Sequence, residues 1–125
     1  MKEEEITQIN LINWVNFNLP DVAEDIYHFA NERFLYPTGG SHFQYGRKLK
    51  RMGVKKGVFD LFLAIPKPIC QFSGLWLELK TEQGKPTKEQ LEFMKRMILR
   101  GYEAKIAYGF DDAKNVILNY LDLNN

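Results

Sequence analysis

Two apolar runs near the middle of the chain carry charged residues that a buried strand would not need. The run GVFDLFLAIP holds Asp60 near its start, and the run GLWLELK ends on Glu78 and Lys80 with only Leu79 between them. Because side chains alternate between the faces of a strand, Glu78 and Lys80 are expected on one face. If the two runs pair as a hairpin, Asp60 comes alongside, and two carboxylates and a lysine converge near the strand ends.

These three residue types can build a metal site. Two carboxylates buried side by side repel each other, and a divalent cation removes that conflict. Magnesium prefers oxygen ligands and is usually held by one or two carboxylates, with positions left for water and phosphate oxygens. Lys80 beside such an ion could orient or deprotonate a water molecule. Taken alone, the same residues also suit a salt-bridged strand end, so the pattern leaves both interpretations open.

Composition limits the other kinds of site that the chain can build. Its 125 residues, 45% hydrophobic, suffice for one compact domain over residues 1–125. One cysteine, Cys70, and the separated His28 and His42 cannot supply the four ligands of a closed zinc site. The start MKEEEITQ is acidic, and no apolar run approaches the ~20 residues of a membrane helix. We therefore expect a soluble, cytoplasmic protein without membrane association, and any metal ion to be held mainly by oxygen.

The net charge is only +1, but one segment of the chain is strongly basic. The run RKLKRMGVKK contains six basic residues and no acidic one, namely Arg47, Lys48, Lys50, Arg51, Lys55 and Lys56. Such a run is commonly a solvated helix face. This one leads directly into the strand that carries Asp60, which favours contact with the phosphates of a nucleic acid.

The elements that must position these residues follow from periodicity and turn residues. Helices are predicted for residues 3 to 17, about 41 to 52, from Thr87 to a stop at Gly101, and 111 to 121. Strands are predicted for 26 to 30, 57 to 66, about 72 to 80 and 103 to 109, with a turn at Leu19-Pro20-Asp21 and a loop over 33 to 41. This order predicts an α/β or α+β domain with helices packed on a central sheet.

Two of these helices direct polar side chains toward the core. In the first helix Glu4 and Gln8 continue, at four-residue steps, the apolar stripe that contains Leu11. In the helix that starts at Thr87, Gln90 begins the apolar stripe and also fits the N3 position of a capping box. Glu4 equally suits a first helical turn, where acids are favoured. Site and capping roles both stay open for these two residues.

Gly57-Val58-Phe59-Asp60, followed by Glu78-Leu79-Lys80, resembles the PD-(D/E)XK nuclease signature, and the details resemble its virus-type replication-repair nuclease (VRR-NUC) branch. The D…ExK spacing alone is a weak signal, but further matching pieces in the same order make the resemblance far more specific. They are Glu4, Gln8 and Trp14, Ala30-Asn31-Glu32-Arg33, Leu49 to Val54, Gly74-Leu75-Trp76, Gln90 and Gly101-Tyr102. The similarity runs from Glu4 to about Tyr120. The sequence departs from the family at Phe59, where proline is usual, so packing must aim Asp60.

The resemblance implies a restriction-endonuclease-like PD-(D/E)XK core of the α/β class, with a central mixed sheet flanked by helices. It further implies an endodeoxyribonuclease that depends on Mg²⁺ or Mn²⁺. In such an enzyme Asp60 and Glu78 would bind the metal through their side chains and Leu79 through its backbone carbonyl. Lys80 would position or activate the attacking water. Gln90 and Glu4 would complete the site, with Glu4 as a further metal ligand.

The chain has the size of stand-alone family members, which resemble Holliday-junction resolvases that act as homodimers in DNA repair and recombination. We therefore expect structure-selective cleavage of branched DNA, four-way junctions first, in a bacterial cell or a phage-infected host. Two alternatives stay open at this point. One is a nuclease of the same fold that acts on flaps or single-strand ends, and the other is a non-catalytic module that binds branched DNA.

Overall fold

The structure, a computed structural model, describes residues 1–29 and 42–123. In chain order the elements are α1 (Glu3–Asn18), α2 (Pro20–Ala23), β1 (Ile26–His28), α3 (His42–Arg51), β2 (Leu61–Leu63), a 3₁₀ helix (Pro68–Cys70), β3 (Leu75–Lys80), α4 (Lys88–Leu99), β4 (Glu103–Tyr108) and α5 (Phe110–Tyr120). None of these helices combines the length and the apolar character that crossing a membrane requires.

A mixed four-stranded sheet forms the centre, in the order β1-β2-β3-β4. Strand β2 pairs antiparallel with both β1 and β3, and Leu61 lies opposite Leu77. Strands β3 and β4 are parallel, as their connection through the crossover helix α4 requires. The antiparallel pairing of β2 with β3 is the hairpin arrangement expected from the sequence, and it sets the two charged strand ends beside each other.

One face of the sheet packs against α1 and α5 through a continuous apolar cluster. Leu75, Leu77 and Leu79 point to this face from β3 and are all buried. They meet Leu11 of α1 and Ile117 of α5, which belong to the same cluster. These helices place apolar residues at three- and four-residue spacing toward the sheet, which is the pattern of an amphipathic helix against a core.

The opposite face of the sheet packs against α4 and also carries the charged residues. Trp76, Glu78 and Lys80 alternate with the three leucines of β3 and so point to this side. A second apolar cluster, which contains Phe59, Phe93 and the partly buried Trp76, covers the sheet beneath α4. The division of β3 into a leucine face and a charged face confirms the alternation predicted from its sequence.

The predicted strand over residues 57 to 66 is wrong in its length. Regular pairing covers only Leu61–Leu63. Upstream of it, Gly57 has φ of +85°, which strand backbone does not adopt, and the N–H of Asp60 donates to the side chain of Glu78 instead of a neighbouring strand. The segment before Asp60 is therefore held by specific contacts and not by a strand ladder.

Smaller differences occur near the N-terminus. The turn predicted at Leu19-Pro20-Asp21 is the start of the short helix Pro20–Ala23, because proline is well suited to the first position of a helix. The strand predicted over 26 to 30 is Ile26–His28. The loop predicted over 33 to 41 lies wholly outside the described residues.

Gly57 brings the chain before Asp60 against the first turn of α4. A Cβ atom at Gly57 would lie 2.5 Å from the backbone carbonyl carbon and oxygen of Glu89. No other residue type fits that approach without moving one of the two segments, and the positive φ adds a second reason for glycine. This contact fixes the segment that leads into Asp60 relative to the helix that carries Gln90.

We expect Gly57→Ala to lower the free energy of unfolding by about 2 to 4 kcal/mol, because backbone strain and a steric clash act together. Gly53→Ala is the matched control, since Gly53 ends α3 with φ of +105° and has nothing within 4 Å of an added Cβ. Its cost should be strain alone, about 1 to 2 kcal/mol. Urea unfolding measures both variants, and equal losses would contradict the close contact with Glu89.

Candidate active site

Four polar side chains are buried together at one end of the sheet. Asp60, Glu78, Lys80 and Gln90 are 3%, 0%, 7% and 8% exposed, respectively. No other charged or amide side chain is buried among the residues whose exposure the structure describes. Burying charge costs free energy unless the groups are paired and hydrogen-bonded, so packing alone does not explain this cluster. All four belong to the site predicted from the sequence.

Asp60 and Glu78 are joined by reciprocal contacts between side chain and backbone. The N–H of Asp60 donates to Oε1 of Glu78 over 3.2 Å, and the N–H of Leu79 donates to Oδ2 of Asp60 over 3.1 Å. The pairing of Leu61 with Leu77 places the two acids opposite each other at the next position. The structure thus brings the two carboxylates together as the hairpin predicts, while their chemical roles stay predictions.

Lys80 and Gln90 converge on the other oxygen of Glu78. Nζ of Lys80 lies 3.4 Å from Oε2 of Glu78, and Nε2 of Gln90 donates to the same oxygen over 2.9 Å. The amide oxygen of Gln90 accepts from the N–H of Thr87, and the N–H of Gln90 donates to Oγ1 of Thr87. The predicted capping box is therefore present, and Gln90 also contacts Glu78, while its part in the chemistry stays a prediction.

Electrostatics in this cluster favour the protonated form of Glu78. Burial is the largest cause, and the charge of Asp60 adds to it, so that the pKa of Glu78 rises to about 8. The nearby ammonium group of Lys80 opposes the rise without cancelling it. A cation bound beside this pair would therefore stabilise the ionised form of both carboxylates.

Phe59 stands where the family that the sequence resembles usually has proline, and its packing fixes the backbone before Asp60. Its side chain is completely buried and its ring centroid lies 5.2 Å from that of Phe93 on α4. A large ring locked in the second apolar cluster restricts the backbone immediately before Asp60. Packing therefore supplies the restriction that proline would supply through its ring.

Glu4 lies outside the group of four buried polar side chains. It lies half-buried in the first turn of α1. Among the side chains that the structure describes, no three from His, Cys, Asp or Glu stand close enough to hold a metal ion together. Glu4 therefore does not complete a three-residue cluster with Asp60 and Glu78 in this structure, and its part in the site stays a prediction.

Two neighbours of Asp60 were not expected from the sequence. Nδ1 of His28 lies 3.0 Å from the carbonyl oxygen of Asp60, and the N–H of Phe29 donates to the same oxygen over 2.8 Å. Both follow from the pairing of β1 with β2, which the predicted strand over 26 to 30 did not specify. Pairing partners are set by tertiary packing, so the strand pattern alone could not identify these contacts.

The basic residues lie on the surface. Arg47, Lys48, Lys50 and Arg51 are exposed on α3 and line a common concavity. Lys55 and Lys56 are exposed in the segment that follows. This arrangement suits contact with a polyanion, and the contact itself stays a prediction.

Comparison with known proteins agrees with the fold described above. No protein-family model matches the sequence, and no curated protein is similar enough to be matched. A solved structure described as a VRR_NUC domain protein is similar over 100% of this chain and 93% of its own, with a TM-score of 0.80 and 26% sequence identity. The chain therefore has the fold of a VRR-NUC domain, which is of the PD-(D/E)XK type, and this agrees with the ordered motifs of its sequence.

Proposed function

We propose that the protein is a metal-dependent endodeoxyribonuclease that hydrolyses phosphodiester bonds in branched DNA. The observation that carries the proposal is the joint burial of Asp60, Glu78 and Lys80 in a fold of the nuclease type. A domain that only binds DNA gains nothing from two adjacent buried carboxylates, because they cost stability and repel phosphate.

The donor atoms of this site fit a divalent cation such as Mg²⁺ or Mn²⁺. Asp60 and Glu78 supply carboxylate oxygens, and burial together with the charge of Asp60 raises the pKa of Glu78 to about 8, a shift that a cation bound beside the pair would oppose. These two side chains would hold the ion. When bound, the ion would stabilise the charge that develops on the phosphate during hydrolysis.

The backbone of Leu79 is directed suitably for a third ligand. Its N–H points toward Asp60, whereas the carbonyl of the next residue, Lys80, accepts from Gly109 on the β4 side. The N–H and C=O of one strand residue point to the same neighbour, so the carbonyl of Leu79 is expected on the side of Asp60. This supports the backbone ligand that the family resemblance implies.

Lys80 is the proposed water-positioning residue. In the reaction the oxygen of a water molecule forms a bond to phosphorus, and the bond between phosphorus and the 3′ oxygen breaks. The water loses a proton to solvent, and the leaving 3′ oxygen takes one up from solvent. The products carry a 5′ phosphate and a 3′ hydroxyl. Nζ of Lys80 is held beside Glu78, where it can bond the water and restrict its direction of attack. Gln90 keeps Glu78 in place from α4.

Four-way junctions are the proposed substrate and a homodimer the proposed assembly. A junction presents two equivalent strands, and each chain has one such buried acidic pair in the part that the structure describes. A two-fold dimer would present two sites related in the same way as the strands to be cut.

We expect Asp60→Asn and Lys80→Ala to lower the cleavage rate by at least about 100-fold, because each removes a group that acts in the transition state. The assay uses labelled four-way junction, flap, single-stranded and duplex DNA with MgCl₂ or MnCl₂. Asp111→Asn and Lys105→Ala, which change exposed residues elsewhere, should cut at the wild-type rate.

Wild-type protein should make paired, symmetric cuts in the junction. Cutting mainly of flaps or ends would retain the chemistry and reject the junction as substrate. Binding without cleavage in either metal would reject the nuclease proposal in favour of the binding module.

Stability of the metal-free protein should fall as pH rises from about 5 to 8, relative to Glu78→Gln. The pKa of Glu78 is about 8 in the folded state against an ordinary 4.5, so between these values the folded state binds more protons than the unfolded state. Raising the pH removes that advantage. Thermal unfolding in EDTA measures the difference, and MgCl₂ at pH 8 should stabilise the wild type more than Glu78→Gln. If the unfolding temperatures of the wild type and of Glu78→Gln changed in parallel at every pH, the raised pKa of Glu78 would be contradicted.

Binding of branched DNA should weaken with salt at a log–log slope of roughly −5, as expected if about six phosphates are neutralised. The affinity of Asp60→Asn for the junction, measured from low to moderate salt, gives this slope without cleavage. Lys48→Ala and Arg51→Ala should each reduce the slope by about 1. Lys105→Ala should leave it unchanged, and an equal effect of all three would argue against a binding role for α3.

A further inference from the structure

A row of side chains crosses the sheet through the candidate active site and ends on an aromatic ring. His28 pairs with Leu61, so Phe29 and Asp60 occupy the next position of the β1–β2 register, where the N–H of Phe29 donates to the carbonyl of Asp60. Glu78 lies opposite Asp60 on the other side. Phe29, Asp60 and Glu78 are thus direct neighbours across three strands, each about 4.8 Å from the next.

The ring of Phe29 lies on the same face of the sheet as the acidic pair. Its centroid is 5.1 Å from that of Trp76, which shares a face with Glu78 and Lys80 through strand alternation. The phosphate of a bound DNA strand and this ring would therefore be on the same side of the protein.

Phe29 is supported on one side and open to solvent on the other. Trp76 is held by Phe62 and Phe93, with centroid distances of 4.6 and 5.0 Å, and Phe29 packs on it. Nevertheless 43% of Phe29 stays exposed. A ring that is fixed from behind and exposed in front loses little conformational freedom when a flat ligand covers it.

The ligand that this surface suits is a nucleobase. The phosphate at the point of cleavage would lie at the cation that Asp60 and Glu78 would hold, and the base of the same or the adjacent nucleotide is then within reach of a ring one strand away. Every base has a π-face that can stack on an aromatic side chain, but in a duplex the neighbouring bases cover that face. An unpaired, unstacked base exposes it.

We propose that Phe29 stacks on an unpaired nucleobase beside the phosphate that is cut, so that the enzyme selects DNA with an unstacked nucleotide at that point. This inference rests on the proposed nuclease function and names what its site recognises. Flaps and strand ends supply such a nucleotide, and a four-way junction supplies it when its branch point is opened, whereas continuous duplex does not. Phe29 is then a residue that determines specificity and not a catalytic residue.

The test pairs variants at Phe29 with removal of single bases from the DNA. Junction and single-stranded substrates carry one abasic nucleotide, placed in turn at each position around the cut. At one position the wild type should lose about 5- to 150-fold in kcat/KM, the range expected for one stacked base. Phe29→Ala should show that loss on intact DNA and little further loss on the abasic DNA.

Three other variants separate stacking from simple packing. Phe29→Tyr keeps an aromatic face and should cleave like the wild type, whereas Phe29→Leu keeps apolar volume without a π-face and should behave like Phe29→Ala. Phe17→Ala is the control, because Phe17 is 87% exposed on α1, which packs on the other face of the sheet. Phe17→Ala should cleave every substrate with the kcat/KM of the wild type.

Equal losses by Phe29→Ala on intact and abasic DNA would overturn the proposal, as would a wild type that tolerates base removal at every position. The same DNA panel measured as Kd in CaCl₂ decides the Phe29 contact without any cleavage. A wild type that shows the position-specific loss in Kd but never cuts would reject the nuclease proposal and retain the stacking contact.

Discussion

The contacts between the segments of Asp60 and Glu78 join two strand ends at the place where two carboxylates are buried side by side. Each acid uses the backbone of the other strand: Glu78 accepts the N–H of Asp60, and Asp60 accepts the N–H of Leu79. These bonds take the place of regular pairing between β2 and β3 beyond Leu61 and Leu77. The register of the two strands and the contacts of the two acids therefore support each other.

The rest of the fold is arranged to keep that end of the sheet both rigid and accessible. Leucines of β3 anchor the strand from the face covered by α1 and α5, which contains no buried charge among the described residues. On the other face, Phe59 and Phe93 hold the chain just before Asp60. Hydrophobic burial on both sides thus offsets the cost of keeping two carboxylates and a lysine out of water.

Much of the site could be predicted from the sequence because strand alternation and helix periodicity are local. Glu78, Lys80 and Gln90 fall on the faces that their spacing predicts, and the capping box at Thr87 is present. What could not be predicted depends on contacts between distant segments. The segment before Leu61 includes the close approach of Gly57 to Glu89, and the contact of Phe29 with Asp60 accompanies the pairing of β1 with β2.

Gln90 links the formation of a helix to the assembly of the site. The same amide accepts a hydrogen bond at the start of α4 and donates one to Glu78, so the side chain is oriented only when the first turn of that helix exists. A chain that has formed its sheet but not α4 would hold Glu78 without this anchor. The strand acids and the helix amide would thus come together only when the sheet and α4 are both formed.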